Sequence, residues 1–209
     1  MSVLNKIAYF QNRRDEVPNQ KLAKQLVATR NKKGIREIAE NLGDRNQNIQ
    51  SDCLKVLYEL GYLAPDLIAD YVDDFLRLLK SKNNRMVWGS MIALSTIAAI
   101  SVDALYPYVP EIQKAMQKGS VITVDNAVLT LAGIASSSDA RRREIFPSLL
   151  DHLKTCRPKD VPQHAEKTLI AVGAENKEAF IAVLEKRMED MAGSQAKRVR
   201  KVIKEADKR

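Results

Sequence analysis

A segment of about 37 residues recurs along this chain, and that period restricts its possible architectures more than any other feature. Ile49–Leu57 aligns with Met86–Leu94, Thr123–Leu131 and Val161–Leu169. Leu57, Leu94, Leu131 and Leu169 fall in one apolar column, and Leu60, Ile97, Ile134 and Val172 in a second. Small residues keep register too. Cys53, Ser90, Ala127 and Ala165 share one column, and Gly61, Ala98, Ala135 and Gly173 another. Each unit reads as two amphipathic helices whose apolar stripes find cover only against neighbouring units. The fold class expected is all-α, an α-solenoid of stacked helical hairpins.

The first helices are read at Ile35–Leu42, Tyr71–Leu79, Tyr108–Met116, Ile145–Leu153 and Ala179–Met188. The second helices start from Val17–Arg30 and Ile49–Gly61, pass through the aligned segments, and end with Gln195–Ala206. Val3–Arg13 is read as a degenerate first helix. Pro107 and Pro110 suit a first turn, where no backbone donor is needed, and Pro147 is in register with Pro110. Asp66, Asp103 and Asp139 lie where helix caps or first-turn acids belong. About six hairpins account for the whole length. One domain over residues 1–209 follows, with degenerate capping repeats at 1–45, central repeats at 46–174, and a capping repeat at 175–209 that ends in a basic helix.

The runs Leu42-Gly43-Asp44 before Ile49–Leu57, and Leu78-Leu79-Lys80-Ser81 before Met86–Leu94, carry a resemblance to the HEAT repeat family, within the wider HEAT/armadillo superfamily. They follow that family's order: an apolar helix end, a polar turn, then a helix with apolar and small residues at fixed spacing. Asp44 keeps the family's turn aspartate, whereas Ser81, Lys118 and Thr155 replace it. The family's early arginine of the second helix is Gln50, Val87, Val124 and Pro162 here. The resemblance implies a right-handed α-α superhelix and a non-catalytic scaffold for protein partners. It carries over no catalytic residue.

Composition fits a soluble protein, with 45% hydrophobic and 29% charged residues, enough apolar material for a long core. The start, Met-Ser-Val-Leu-Asn-Lys, lacks the basic region and apolar run of a signal peptide. The longest charge-free stretch, Met86–Val102, is short for a membrane span and is read as a helix packed on several sides. Cys53 and Cys156 have no close spacing, and Cys53 occupies a core column, so a reduced cytoplasmic protein is expected.

The net charge of +8 is uneven. Residues 1–45 hold ten basic and five acidic residues, and residues 194–209 hold seven and two. The middle holds 17 basic and 19 acidic residues. Lys197, Arg198, Arg200, Lys201 and Lys204 on the last helix form a candidate site for an anionic partner, with Lys32, Lys33 and Arg36 as a second contact. The plainer account is that terminal helices expose more surface and carry more charge. Arg141-Arg142-Arg143 is read as a solvated turn.

The resemblance places the second helices on the concave side. Their non-core columns read Ser51, Trp88, Asp125, Gln163, and then Asp52, Gly89, Asn126, His164. A turn further come Lys55, Ile92, Leu129, Lys167, followed by Tyr58, Ser95, Ala132, Ile170. Trp88, Ile92, Asp125, Asn126, Leu129, His164, Lys167 and Tyr58 are the candidate partner-binding residues, with Trp88 as an aromatic anchor. The plainer account of Trp88 is packing between repeats. A branch of HEAT-like proteins comprises alkylpurine DNA glycosylases, which use an acid and aromatics on a basic concave face. Asp125 in the column of Trp88 is the single match, and no enzyme is expected. His152 and Cys156 stand four apart, with His164 available as a third ligand, but no carboxylate or cysteine cluster completes a metal site in the sequence. No cofactor, metal or small-molecule substrate is expected. The partner expected is a protein or peptide segment, and the alternative is a nucleic acid held by the basic ends.

Overall fold

The computed structural model describes residues 2–209 and is all-α, with no strand among them. Its contacts divide into two compact units, one ending at Leu105 and one spanning Tyr106–Arg209.

The first unit begins with two short 3-10 turns, Leu4–Lys6 and Tyr9–Gln11. The expected helix over Val3–Arg13 is therefore absent. Ile7 is extended, with ψ 160°, and Asn12 is left-handed, with φ 51°, so the chain breaks twice within eleven residues. Helices α1 (Val17–Thr29), α2 (Lys32–Glu40), α3 (Gln47–Leu63), α4 (Val72–Leu78) and α5 (Asn84–Ile97) follow, then the single turn α6 (Val102–Leu105). Asparagines start three of them. Asn31, Asn46 and Asn83 each accept a backbone N–H of the first turn, from Gly34, Asn48 and Arg85 respectively. Asp44, the turn residue singled out above, accepts from the backbone N–H of Asn46 at 2.6 Å and so fixes the entry to α3.

The second unit holds α7 (Val109–Lys118), α8 (Val121–Ala135), α9 (Asp139–Thr155), α10 (Val161–Thr168), α11 (Lys177–Met188) and α12 (Gly193–Asp207). Pro110 lies in the first turn of α7, as its register requires. Pro147 does not share that setting. It sits inside α9, because Ser138 starts that helix about two and a half turns earlier and accepts from the backbone N–H of Arg141. Helix α10 gives way to a 3-10 turn at Leu169–Ala171, so the fifth second helix is shorter than its repeat column suggests.

Most members of the sequence columns are core, while Leu169 and Gly173 of the fifth repeat are only half-buried. Cys53, Ser90, Ala127 and Ala165 are fully buried, as are Leu57, Leu94 and Leu131. Leu60, Ile97 and Ile134 are fully buried as well. The thiol of Cys53 is pushed up to about 12 by that burial, as an inert core thiol should be. In the first unit α3 packs against α1 and α5, and in the second α10 packs against α8 and α12. Second helices thus touch one another directly. The charge-free segment falls in α5, where Met86, Gly89–Leu94 and Ile97 are buried. Its hydroxyls are satisfied locally. Ser90, Ser95 and Thr96 donate to the carbonyls of Val87, Ile92 and Ala93 at 2.7–2.9 Å.

Close approach explains the small residues. A Cβ on Gly61 would run into Thr96 Oγ1 and come within 2.8 Å of Ile68 Cδ1. Gly43, by contrast, has open space around it. Gly61→Val should destabilise the first unit by about 1–3 kcal/mol through overpacking. Gly43→Ala should leave stability nearly unchanged. Urea unfolding of both variants checks this, and equal midpoints would contradict it.

Candidate functional site

The second unit contains an open cavity of about 610 Å3, lined by residues of α7, α8, α9 and α10 and the loop after α9. A chain of polar groups runs along its wall. His164 on α10 is buried, 2% exposed. Its Nε2 lies 2.7 Å from Asp125 Oδ1 on α8, and its Nδ1 lies 2.9 Å from His152 Nε2 on α9. A carboxylate only accepts, so His164 carries its proton on Nε2 and donates it to Asp125. With its lone pair on Nδ1, His164 accepts there from the Nε2–H of His152. The second oxygen of Asp125 accepts from Gln163 Nε2 at 2.9 Å. Lys167 donates to the backbone carbonyl of Asp125 at 2.7 Å. Burial lowers the pKa of Lys167, and the charge of Asp125 opposes that. Burial, and then the neighbouring His164, pull the pKa of His152 down to about 4.

Cys156 sits beside this chain, in the loop that ends α9. Its sulfur and the nearest ring nitrogens of His152 and His164 lie within 4.8 Å of one another. Sequence spacing had left these three residues without a completing carboxylate. The fold supplies Asp125, bound behind His164 rather than beside the sulfur. Arg187 on α11 holds the loop in place, donating to the carbonyls of Leu153, Lys154 and Cys156 at 2.8, 2.6 and 2.8 Å. Those carbonyls have no helical donor of their own.

The other candidate residues fall within one unit or the other. In the first, Trp88 is half-buried and packs at 6.2 Å on Tyr58, which makes an edge contact with Tyr62 at the same distance. Tyr62 is 58% exposed, while Tyr58 and Ile92 are buried. Lys55 reaches over the ring of Tyr58, 4.7 Å from its centre, and pairs with Glu16 and Glu59 at 2.8 and 2.7 Å. Burial works against the charge on Lys55, but its two carboxylate partners outweigh this and hold its pKa above the usual lysine value. In the second unit Asn126, Leu129 and Lys167 are half-buried on α8 and α10. Tyr58, Ile92 and His164 therefore present little surface to a partner. Direct packing of second helix on second helix covers them.

The basic candidates are all exposed. Lys32, Lys33 and Arg36 lie on α2, and Lys197, Arg198, Arg200, Lys201 and Lys204 lie on α12. Arg198 is engaged by both oxygens of Glu166, at 2.9 and 2.7 Å. The Arg141–Arg143 run is not a solvated turn: it lies near the start of α9 and is tied down. Arg141 stacks on Tyr106 at 4.8 Å, Arg142 pairs with Asp139 at 2.5 Å, and Arg143 pairs with Glu175 at 3.2 Å. No helix among the described residues is long and apolar enough to cross a membrane.

No protein-family model matches this sequence, and no curated protein matches it. Solved structures do. An engineered protein superposes with a TM-score of 0.69 at 18% identity, over 100% of this chain and 98% of that one. A designed armadillo repeat protein, in complex with the peptide (KR)4, gives 0.71 at 12% identity, covering 97% and 91%. The karyopherin Kap121p bound to the SUMO protease Ulp1p gives 0.65 at 15% identity, over 95% of this chain but only 22% of that one. At these identities the likeness shows the fold, and the fold is the expected one, an all-α HEAT/armadillo-type repeat.

The anchoring by Arg187 is testable. Arg187→Met keeps the aliphatic stem but removes all three donors. It should lower stability by about 1.5–3 kcal/mol, the range for hydrogen bonds from a charged group. Thermal and urea unfolding measure this, and a wild-type midpoint would show that Arg187 does not secure the loop.

Proposed function

We propose that the protein is a non-catalytic scaffold that holds a protein or peptide segment on the exposed faces of its second helices. The observation that carries this reading is the aromatic patch of the first unit, where Trp88 leans on Tyr58 beside the exposed ring of Tyr62. Large rings held rigid by one another lose little freedom on binding, which makes them effective anchors. Asn126, Leu129 and Lys167 offer a half-buried mixed surface on α8 and α10 of the second unit. The solved relatives in fold include proteins in complex with a peptide and with a protein, which supports the same reading. Two free cysteines, one fully buried, suit a reducing, cytoplasmic setting.

A second reading, binding of nucleic acid through α12, is favoured by one observation. Lys197, Lys201, Lys204 and Lys208 are exposed at helical spacing, while Ala196, Val199, Val202 and Ala206 are buried on the opposite side. Phosphate contacts along such a stripe would be salt-sensitive and independent of sequence.

The two readings separate experimentally. Peptides selected from a random library against the full chain should lose more than about 2 kcal/mol of affinity with Trp88→Ala and depend weakly on salt. Circular dichroism establishes that the variant is folded. Selected peptides that bind Trp88→Ala as tightly as the wild type contradict the anchor. Mixed-sequence duplex DNA or RNA that binds steeply with salt, and is released by the combined Lys197→Glu, Arg200→Glu and Lys201→Glu changes, establishes the second reading instead.

A further inference from the structure

We propose that His152, Cys156 and His164 form a binding site for a zinc-type divalent ion in the cavity of the second unit, with Asp125 orienting His164 and the fourth position open to the cavity. The donor set is two imidazoles and one thiol, which suits a borderline ion such as Zn2+ over Mg2+ or Ca2+. Zinc bond lengths place tetrahedral donors roughly 3.3–3.6 Å apart. The three donor atoms already lie within 4.8 Å of one another, and the two imidazole nitrogens lie 2.9 Å apart. Small side-chain rotations therefore suffice.

Four further features fit a built site. Asp125 stands behind His164 in the carboxylate–histidine arrangement that fixes a metal-binding tautomer, and it leaves the lone pair of Nδ1 facing the cluster. Gln163 holds the other oxygen of Asp125, so that support is itself supported. Arg187 ties the carbonyl of Cys156 to the last turn of α9 through the carbonyls of Leu153 and Lys154. The cavity wall beside the cluster gives an ion a route in and leaves room for a water ligand. In the metal-free protein the Nε2 proton of His152 occupies the space between the two imidazoles. On binding, His152 takes the Nδ1–H tautomer, its Nε2 lone pair turns to the ion, and Cys156 loses its thiol proton to solvent. One proton is released overall. Cys53 plays no part, being fully buried in the other unit.

The test uses the full chain without a histidine tag. Zn2+ is titrated against a chromophoric chelator, and Co2+ is followed by absorbance. The expected result is one equivalent of either ion, a thiolate-to-cobalt charge-transfer band, and strong d–d bands of a four-coordinate ion. Cys156→Ser should abolish the charge-transfer band, and His152→Gln should weaken zinc binding at least about tenfold. Both positions are half-buried rather than core, so both variants should fold. Asp125→Asn should weaken binding by about 10–100-fold, the usual effect of losing such a support. Absence of stoichiometric binding overturns the proposal. So does cobalt bound without a charge-transfer band, or zinc affinity unchanged in both Cys156→Ser and His152→Gln. Unchanged affinity in Asp125→Asn removes Asp125 from it.

Discussion

Direct contact between successive second helices is the constraint on which each unit depends. Helix α3 lies between α1 and α5, and α10 between α8 and α12, so these helices are covered on more than one side. That geometry demands a small residue at Gly61, where an added Cβ would meet Thr96 and Ile68, and it buries Ser90, Ala127 and Ala165 completely. It also limits what polar groups can do. A polar atom on a covered helix must find a partner or bear an unmet desolvation cost. Ser90, Ser95 and Thr96 meet the demand by bonding back to their own helix. His164 cannot do so, and it meets the demand across helices, with Asp125 on one side and His152 on the other.

The same constraint separates surface from core in a way that matters for recognition. Tyr58 and Ile92 are packed too deeply to meet a partner themselves. Tyr58 instead supports the half-buried Trp88, and Lys55, paired with two carboxylates, reaches over the ring of Tyr58. What reaches solvent is the edge of a braced aromatic cluster. The charged groups behave differently. Those on α12 extend from a helix whose apolar side is fully used, so they are free to carry charge without disturbing the fold.

Much of the fold was legible because a 37-residue period repeats the same packing demand. The columns of Leu57 and Cys53 could be read from the chain because each member solves the same local problem. Legibility failed where a segment has no repeat to answer to. Val3–Arg13 has helical composition, yet an extended Ile7 and a left-handed Asn12 divide it into two short turns. Pro147 shares the column of Pro110, but an earlier start at Ser138 placed it inside a longer helix. The candidate metal cluster was half legible. The four-residue spacing of His152 and Cys156 put two donors near each other on one helix, whereas Cys156 is extended and lies just past the end of α9. The carboxylate behind His164 lies 39 residues upstream, and only stacking brings it near. A signal did exist, since Asp125 and Gln163 share one repeat column and His164 follows in the next. Neighbouring columns on stacked helices meet diagonally, and that diagonal is the contact observed.

Stacking of α10 on α8 and α9 sets the proton positions along Asp125, His164 and His152. Long-range proton–nitrogen NMR of the two imidazoles, in metal-free protein near neutral pH, tests it most directly, because each tautomer has its own pattern of nitrogen shifts. Expected is a His164 that carries a proton on Nε2 and a lone pair on Nδ1, with His152 protonated on Nε2. A His164 protonated on Nδ1 would contradict it, since Nε2 could then no longer donate to Asp125 nor Nδ1 face the cluster as a lone pair.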